Sequence, residues 1–93
     1  MDPGVIEHHQ SAALTRTGIA SWYRTELTMA CASNFHPKGT RLLVEFEDRR
    51  VIVIVAGTGP RQELGRIIDL SPDAFAVLAP LSRGIITVQV TPL

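Results

Sequence analysis

The sequence predicts a mainly β protein, a small closed barrel of six strands with one short helix. Stretches with strand-type hydrophobic patterns recur along the chain, at residues 17–23, 28–32, 41–47, 50–56, 65–70 and 85–91. Turn-forming residues separate these stretches, and a helix start is indicated once, before residues 72–79. A closed barrel leaves no strand edge unpaired, and this favours it over an open sheet of the same strands.

The chain begins with a polar segment that has no hydrophobic period, residues 1–16. We interpret it as an N-terminal arm ahead of a barrel formed by residues 17–93. An isolated arm of this composition would fray. We therefore expect it to contact a neighbouring subunit or another protein partner.

The middle of the chain has the pattern of a β-hairpin. Leu42, Val44 and Phe46 alternate with more polar positions, as in a strand with one buried face. The tip is predicted at residues 48–49. Residues 51–56 contain no polar side chain, so we expect protein to cover both faces of the second hairpin strand.

Glycine and proline end this strand, and a helix follows one strand later. Gly57 and Gly59, with the proline after them, reverse the chain. Ser71 has the hydroxyl that accepts hydrogen bonds from free N–H groups at a helix start. Pro72 suits the first helical position, and Asp73 is favourable to the helix dipole. The last strand alternates Ile, Val and Val with Thr, Gln and Thr over residues 86–91.

Length and charge exclude several functions. The chain of 93 residues is 45% hydrophobic, enough for one small domain with a thin core. Nine basic residues balance nine acidic ones without a basic cluster, so we expect no nucleic-acid binding by phosphate neutralisation. No apolar run is long enough to span a bilayer. The lone Cys31 has no cysteine to pair with, and we expect a buried thiol that acts as a packing residue.

Four ordered segments resemble one protein family. They are G-I-A-S-W-Y at residues 18–23, L-T-M-A-C at 27–31, P-K-G-T at 37–40, and the run from residue 51 to residue 75, which includes G-R-I-I-D-L-S-P. Together these segments resemble the rare lipoprotein A (RlpA-like) and expansin-type double-psi β-barrel. The resemblance extends from Gly18 to about Val90 and implies a groove across the barrel that holds a glycan strand such as peptidoglycan.

The resemblance also implies carboxylates that act on the glycosidic oxygen, and most of them are missing here. Gly57 stands where the family has an aspartate after the buried strand. The loop that carries further acids before L-T-M-A-C is deleted, and Cys31 replaces the histidine that ends that segment. Asp69 remains, and it matches the aspartate of the expansin-type F-D-L-S motif. A single acid is sufficient for lytic cleavage, because a hydroxyl of the sugar itself then acts as the nucleophile.

The candidate site residues are therefore Asp69 as the catalytic group and Trp22, Tyr23, Thr58 and Arg66 as substrate-binding groups. For Asp69 we favour a structural role, in which it accepts hydrogen bonds from backbone N–H groups at the turn into the helix, over the catalytic one, because the partner acid is missing. Trp22 and Tyr23 offer flat faces for stacking on sugars. Strand spacing directs one of the two side chains into the core, and we expect that one to be Trp22. No metal-ligand spacing or cofactor motif is present, so we expect neither a metal nor a cofactor.

Three functions remain open at this stage. The favoured one is a degenerate, non-catalytic RlpA-like module that binds glycan or serves as a scaffold. The second is an active lytic transglycosylase-like or expansin-like protein that uses Asp69. The third is a structural component of a phage tail or capsid. The first ten residues lack the basic and apolar regions of a signal peptide. The resemblance to RlpA-like and expansin-type proteins nevertheless implies an extracytoplasmic or cell-wall site. We expect this site to be reached within a virion, or the sequence to be a shortened form of the chain.

Overall fold

The computed structural model describes residues 14–59 and 65–93. It confirms the predicted six-stranded barrel, with strand order β1-β5-β2-β4-β3-β6 around a closed sheet. The strands and helices follow in chain order: β1 Arg16–Trp22, β2 Ala30–Ser33, β3 Arg41–Phe46, β4 Arg49–Gly57, β5 Arg66–Leu70, helix α1 Pro72–Leu78, a short 3₁₀ helix Leu81–Arg83, and β6 Ile85–Pro92. All of them lie close to the predicted ranges. The division into an arm and a barrel stays a prediction, because residues 1–13 lie outside the described residues.

Two parallel strand pairs give the barrel its topology. Strand β1 runs parallel to β5, and β2 runs parallel to β4, while the four remaining neighbouring pairs are antiparallel. Parallel partners are joined by long connections that pass over the barrel rather than by tight hairpins. The strands that carry Ser21 and Asp69 are therefore neighbours in space although they are far apart in the chain.

The core is formed by the inward residues of every strand. Val53 and Val55 of β4 meet Leu42 and Val44 of β3, all almost completely buried. Helix α1 contributes the fully buried Phe75 to the same core. Truncation of such a buried aromatic side chain to alanine costs about 3–5 kcal/mol, so the helix belongs to the folding unit of the barrel.

One prediction about β4 is wrong. Ile52 and Ile54 are 44% and 50% exposed, whereas Val51, Val53 and Val55 between them are buried. Burial therefore alternates along β4, as in a strand with one face on the core. The apolar run over residues 51–56 reflects an apolar outer surface and not a strand covered on both faces.

Two local predictions also need correction. The tip of the β3–β4 hairpin is Glu47–Asp48, one residue earlier than predicted, with Glu47 at a left-handed φ of 54°. Ser71 does occupy the N-cap position of α1, but its hydroxyl makes no cap hydrogen bond. It accepts instead from the backbone N–H of Ala30 at 3.0 Å, which satisfies a buried donor of β2.

Candidate functional site

The barrel places Asp69 in a row of neighbouring residues that crosses four strands. In the strand register, Ser21 of β1 lies beside Asp69 of β5, Asp69 beside Ala32 of β2, and Ala32 beside Gly57 of β4. Neighbouring strands are about 4.8 Å apart, so Asp69 and Gly57 are separated by about 10 Å. The position at which the family's acid is missing therefore lies in the same row as the acid that remains.

Asp69 is held by a triangle of side chains. The Ser21 hydroxyl donates a hydrogen bond to Oδ1 of Asp69. Arg66 Nη2 donates to the same Oδ1 at 3.1 Å and to Ser21 Oγ at 2.7 Å. These partners are side chains rather than the backbone N–H groups that a structural role for Asp69 predicted. Hydrogen bonds between charged groups are the stronger class, so the triangle fixes the carboxylate orientation.

The triangle lies at the barrel surface but is not fully solvated. The side chain of Asp69 is 17% exposed and that of Arg66 is 37% exposed. An ion pair with this exposure contributes at most about 1 kcal/mol to stability, because water screens it. Both donors bind Oδ1, and the second carboxylate oxygen, Oδ2, makes no hydrogen bond within the described residues. Oδ2 thus retains its capacity to accept a hydrogen bond.

The surroundings of Gly57, the position predicted to have lost an acid, are open. A Cβ added at Gly57 would meet no atom within 4 Å, and Thr58 next to it is exposed. The backbone N–H of Gly59 donates to Oδ1 of Asn34 at 2.8 Å, which ties the end of β4 to the loop after β2. The surface at Gly57 therefore has room for a larger side chain, and the Asn34 side chain lies close to the end of this strand.

Cys31 and Asp69 both influence the pKa of Tyr23. Burial raises the pKa of Tyr23 above its usual 10.0, Cys31 and Asp69 raise it further, and a hydrogen bond with Thr25 opposes the increase. Burial raises the pKa of the Cys31 thiol to about 12. Cys31 is fully buried, as expected from its apolar neighbours. Tyr23 therefore offers a neutral phenol near the Asp69 carboxylate, and Cys31 supplies neither a nucleophile nor an anion.

Trp22 belongs largely to the core side of the barrel. Its ring packs against the hydrophobic core, and its Nε1 donates to the carbonyl of Leu81 at 3.0 Å. Both the apolar face and the polar edge are thus engaged by the protein itself. Of the two aromatic residues predicted to contact substrate, Tyr23 is the one that remains near Asp69.

Sequence reasoning missed Ser21 as a site residue. The signal was present, because Ser21 belongs to the matching segment G-I-A-S-W-Y and strand spacing directs it away from the core position of Ala20. What could not be seen is the parallel pairing of β1 with β5, which brings the hydroxyl to Asp69. Arg16 was also missed: its guanidinium carbon lies 4.0 Å from the centre of the Phe35 ring.

Within residues 14–59 and 65–93, no group of three or more His, Cys, Asp or Glu side chains could hold a metal ion. In the same part of the chain, no helix is long and apolar enough to cross a membrane. The pair His8–His9 lies outside the described residues, as does most of the segment expected to contact a partner chain.

Comparison with known proteins identifies the class of barrel and the protein family to which this chain belongs. The fold and the Asp69 row define a double-psi β-barrel of the RlpA and expansin type. The model of the Lytic transglycolase family matches residues 15–90, and the chain belongs to that family. A search of curated proteins found no match.

Three solved structures are similar to this chain. The apo expansin of Clavibacter michiganensis is 23% identical with a TM-score of 0.74. An aspartate-to-asparagine variant of that expansin, in complex with cellohexaose, is 22% identical with a TM-score of 0.73. Both matches cover 86% of this chain and 50% of the expansin, so the chain spans about half the length of those proteins. The Streptomyces papain inhibitor is 25% identical with a TM-score of 0.68, and the match covers 85% of this chain and 94% of the inhibitor.

Proposed function

We propose that this barrel is a non-lytic glycan-binding module that holds a cell-wall glycan strand across the row from Ser21 to Gly57. The observation that carries the proposal is the Ser21–Arg66–Asp69 triangle, which holds one carboxylate oxygen and gives Oδ2 no hydrogen-bond partner within the described residues. Sugar hydroxyls are donors and acceptors at once, and Oδ2 of Asp69 and the guanidinium of Arg66 match both roles. The row therefore suits a ligand rich in hydroxyl groups.

The contacts of Asp69 support the non-lytic part of the proposal. A general acid must deliver a proton to the leaving oxygen. Oδ1 of Asp69 instead accepts hydrogen bonds from Ser21 and Arg66, which are the contacts of a carboxylate anion. Across β2 the row ends in Gly57, so no second carboxylate faces Asp69 from that position. Such a row recognises glycan more readily than it cleaves it.

The expected location follows from the ligand. Peptidoglycan and related wall polymers lie outside the cytoplasmic membrane, so a module that binds them acts there or within a virion that meets the wall. The comparison with an expansin in complex with cellohexaose supports a glycan ligand for this class of barrel.

Co-sedimentation with insoluble peptidoglycan, with cellulose as a second polymer, tests the proposal. We expect retention of the wild-type protein and loss of retention in Asp69→Asn and Tyr23→Ala. Asp48→Asn at the β3–β4 hairpin tip is the matched control, because it removes an exposed carboxylate remote from the row. Failure of the wild-type protein to sediment with either polymer would overturn glycan binding.

Mass spectrometry of the supernatant separates binding from cleavage. Release of soluble glycan fragments by the wild-type protein, lost in Asp69→Asn, would replace the non-lytic proposal with lytic cleavage through Asp69. The variant Gly57→Asp adds a carboxylate where a Cβ meets no atom within 4 Å. We expect it to fold normally, so any activity gained is attributable to the new acid.

A second candidate function is binding of a protease. Of the similar structures described above, the Streptomyces papain inhibitor is the one matched over most of its own length. Inhibition of papain by the purified protein, measured with a chromogenic substrate, tests this candidate. Inhibition without retention on glycan would favour it over the first proposal.

A further inference from the structure

The outer face of β4 and β3 carries an apolar strip that no element of the barrel covers. Ile52 and Ile54 are about half exposed, and Leu43 of β3 lies directly opposite Ile52 in the register. Met29 extends the strip, because its carbonyl accepts from the backbone N–H of Ile54 and its side chain is 41% exposed. Adjacent exposed apolar side chains of this kind mark contact surfaces in soluble proteins.

Strand β6 shows that this strip is not a general property of the barrel exterior. The outward residues in the middle of β6 are Thr87, Gln89 and Thr91, all polar, which is the usual pattern for a sheet face in water. The outward residues Ile52 and Ile54 of β4 are β-branched and apolar. The difference between two strands of one barrel indicates that the β4 face is covered in the functional state.

Charged residues at the two ends of the strip determine what covers it. Arg41 lies level with Ile54 at one end, and Glu45 lies level with Arg50 at the other. Within residues 14–59 and 65–93 the ion pair that forms is Arg66–Asp69, so neither Arg41 nor Glu45 is paired inside its own barrel. The strip thus has Arg41 at one end and Glu45, with Arg50 as its cross-strand neighbour, at the other, and neither Arg41 nor Glu45 forms an ion pair within the described residues.

We propose that the strip is the interface of a symmetric dimer of this chain. Consider a two-fold axis that lies in the interface plane along the Leu43–Ile52 row, perpendicular to the strands. This axis makes β3 of one copy antiparallel to β3 of the other, with facing sheets about 10 Å apart. Arg41 and Glu45 are four residues apart, or about 14 Å, and lie on opposite sides of the axis.

The two-fold operation therefore places Arg41 of each copy opposite Glu45 of the other. An interface with a two-fold axis must be self-complementary in this way, because residue i contacts residue j and j contacts i. Ile52 and Leu43 meet their own counterparts at the centre, where apolar contacts contribute most to affinity. Ile54 faces the aliphatic stem of Arg50 from the other copy, a contact that arginine stems commonly make. The strip thus fits a second copy of itself in both polarity and charge.

Sedimentation equilibrium of the full chain over a dilution series tests the dimer. We expect a reversible monomer–dimer equilibrium whose dissociation constant rises by about thirtyfold in Ile52→Glu. Ile85→Glu is the matched control, because Ile85 is 54% exposed and lies on β6, away from the strip. Equal melting temperatures for the two variants exclude misfolding as the cause.

Charge exchange gives the decisive comparison. Arg41→Glu alone and Glu45→Arg alone place like charges together and should each raise the dissociation constant by about tenfold. The double variant Arg41→Glu/Glu45→Arg restores the pairing and should recover most of the loss. A wild-type protein that remains monomeric at its highest soluble concentration overturns the proposal, as does a double variant weaker than both single variants. So does an Ile85→Glu variant as weak as Ile52→Glu.

Discussion

Of the described glycines, Gly18 is the one at which an added Cβ would come within 3.0 Å of neighbouring atoms, so Gly18→Ala tests the close approach of β1 to β5. An added Cβ would lie 2.7 Å from Cγ2 of Ile67 and 3.0 Å from the carbonyl oxygen of Gly65. The Ile67 methyl group has some freedom to rotate away. The carbonyl belongs to the backbone at the start of β5 and cannot move without disturbing the pairing of β1 with β5.

The magnitude follows from the type of clash. Forcing a methyl group into a filled space costs about 1–3 kcal/mol when neighbouring backbone must shift. The entropy of unfolding near 60 °C is about 2.1 cal/mol/K per residue, so each kcal/mol lowers the melting temperature of a domain this size by about 5 °C. Gly18→Ala should therefore lower the melting temperature by about 5–15 °C.

Gly57→Ala is the matched control, because its new Cβ meets no atom within 4 Å. Replacing glycine there restricts the unfolded chain and should leave stability unchanged or raise it by up to about 1 kcal/mol. Differential scanning calorimetry of the two variants and the wild type gives the comparison. If Gly18→Ala melts within a degree or two of Gly57→Ala, the close approach of β1 to β5 does not limit stability and the reasoning is refuted.

Further predictions concern three titratable groups. Because burial raises the pKa of Cys31 to about 12, we expect this thiol not to react with a thiol reagent at pH 8 until denaturant unfolds the barrel. Prompt labelling of Cys31 in the folded protein would contradict this prediction. Burial, then Arg16, lowers the pKa of His36 below 6.5, so the unfolded chain binds more protons and stability should fall as pH drops below 6.5. His36→Gln should flatten that slope in urea titrations. The Asp73 carboxylate accepts a hydrogen bond from the backbone N–H of Met29 at 2.9 Å. Loss of this hydrogen bond in Asp73→Ala should lower the free energy of unfolding, measured by chemical denaturation, by about 1 kcal/mol. Asp48→Ala should leave that free energy unchanged.

The fold was largely predictable because its signals are local. Alternation in residues 41–47 and the proline and serine before α1 set strands and helix start within one or two residues of their observed bounds. The errors occurred where tertiary contacts override local chemistry. Ser71 serves β2 instead of its own helix, because the buried N–H of Ala30 needs an acceptor.

The candidate site was predictable in part. Asp69 and Arg66 were both candidates from the sequence, but they lie three residues apart on β5, a spacing that regular strand alternation places on opposite faces, so their ion pair was not visible there. Their contact with Ser21 was not visible either, because 48 residues separate Ser21 from Asp69 and only the parallel β1–β5 pairing joins them. The apolar run in β4 was visible, but its exposed face was taken for a second buried one.

The sequence by itself determined the six strands, the helix and the double-psi family. These features follow from the periodicity of hydrophobic side chains along the chain and from short motifs, neither of which depends on distant residues. The tertiary structure alone decided which side chains surround Asp69 and which face of β4 meets solvent. Both depend on strand order around the closed barrel, and strand order is fixed by long-range pairing that no local pattern encodes.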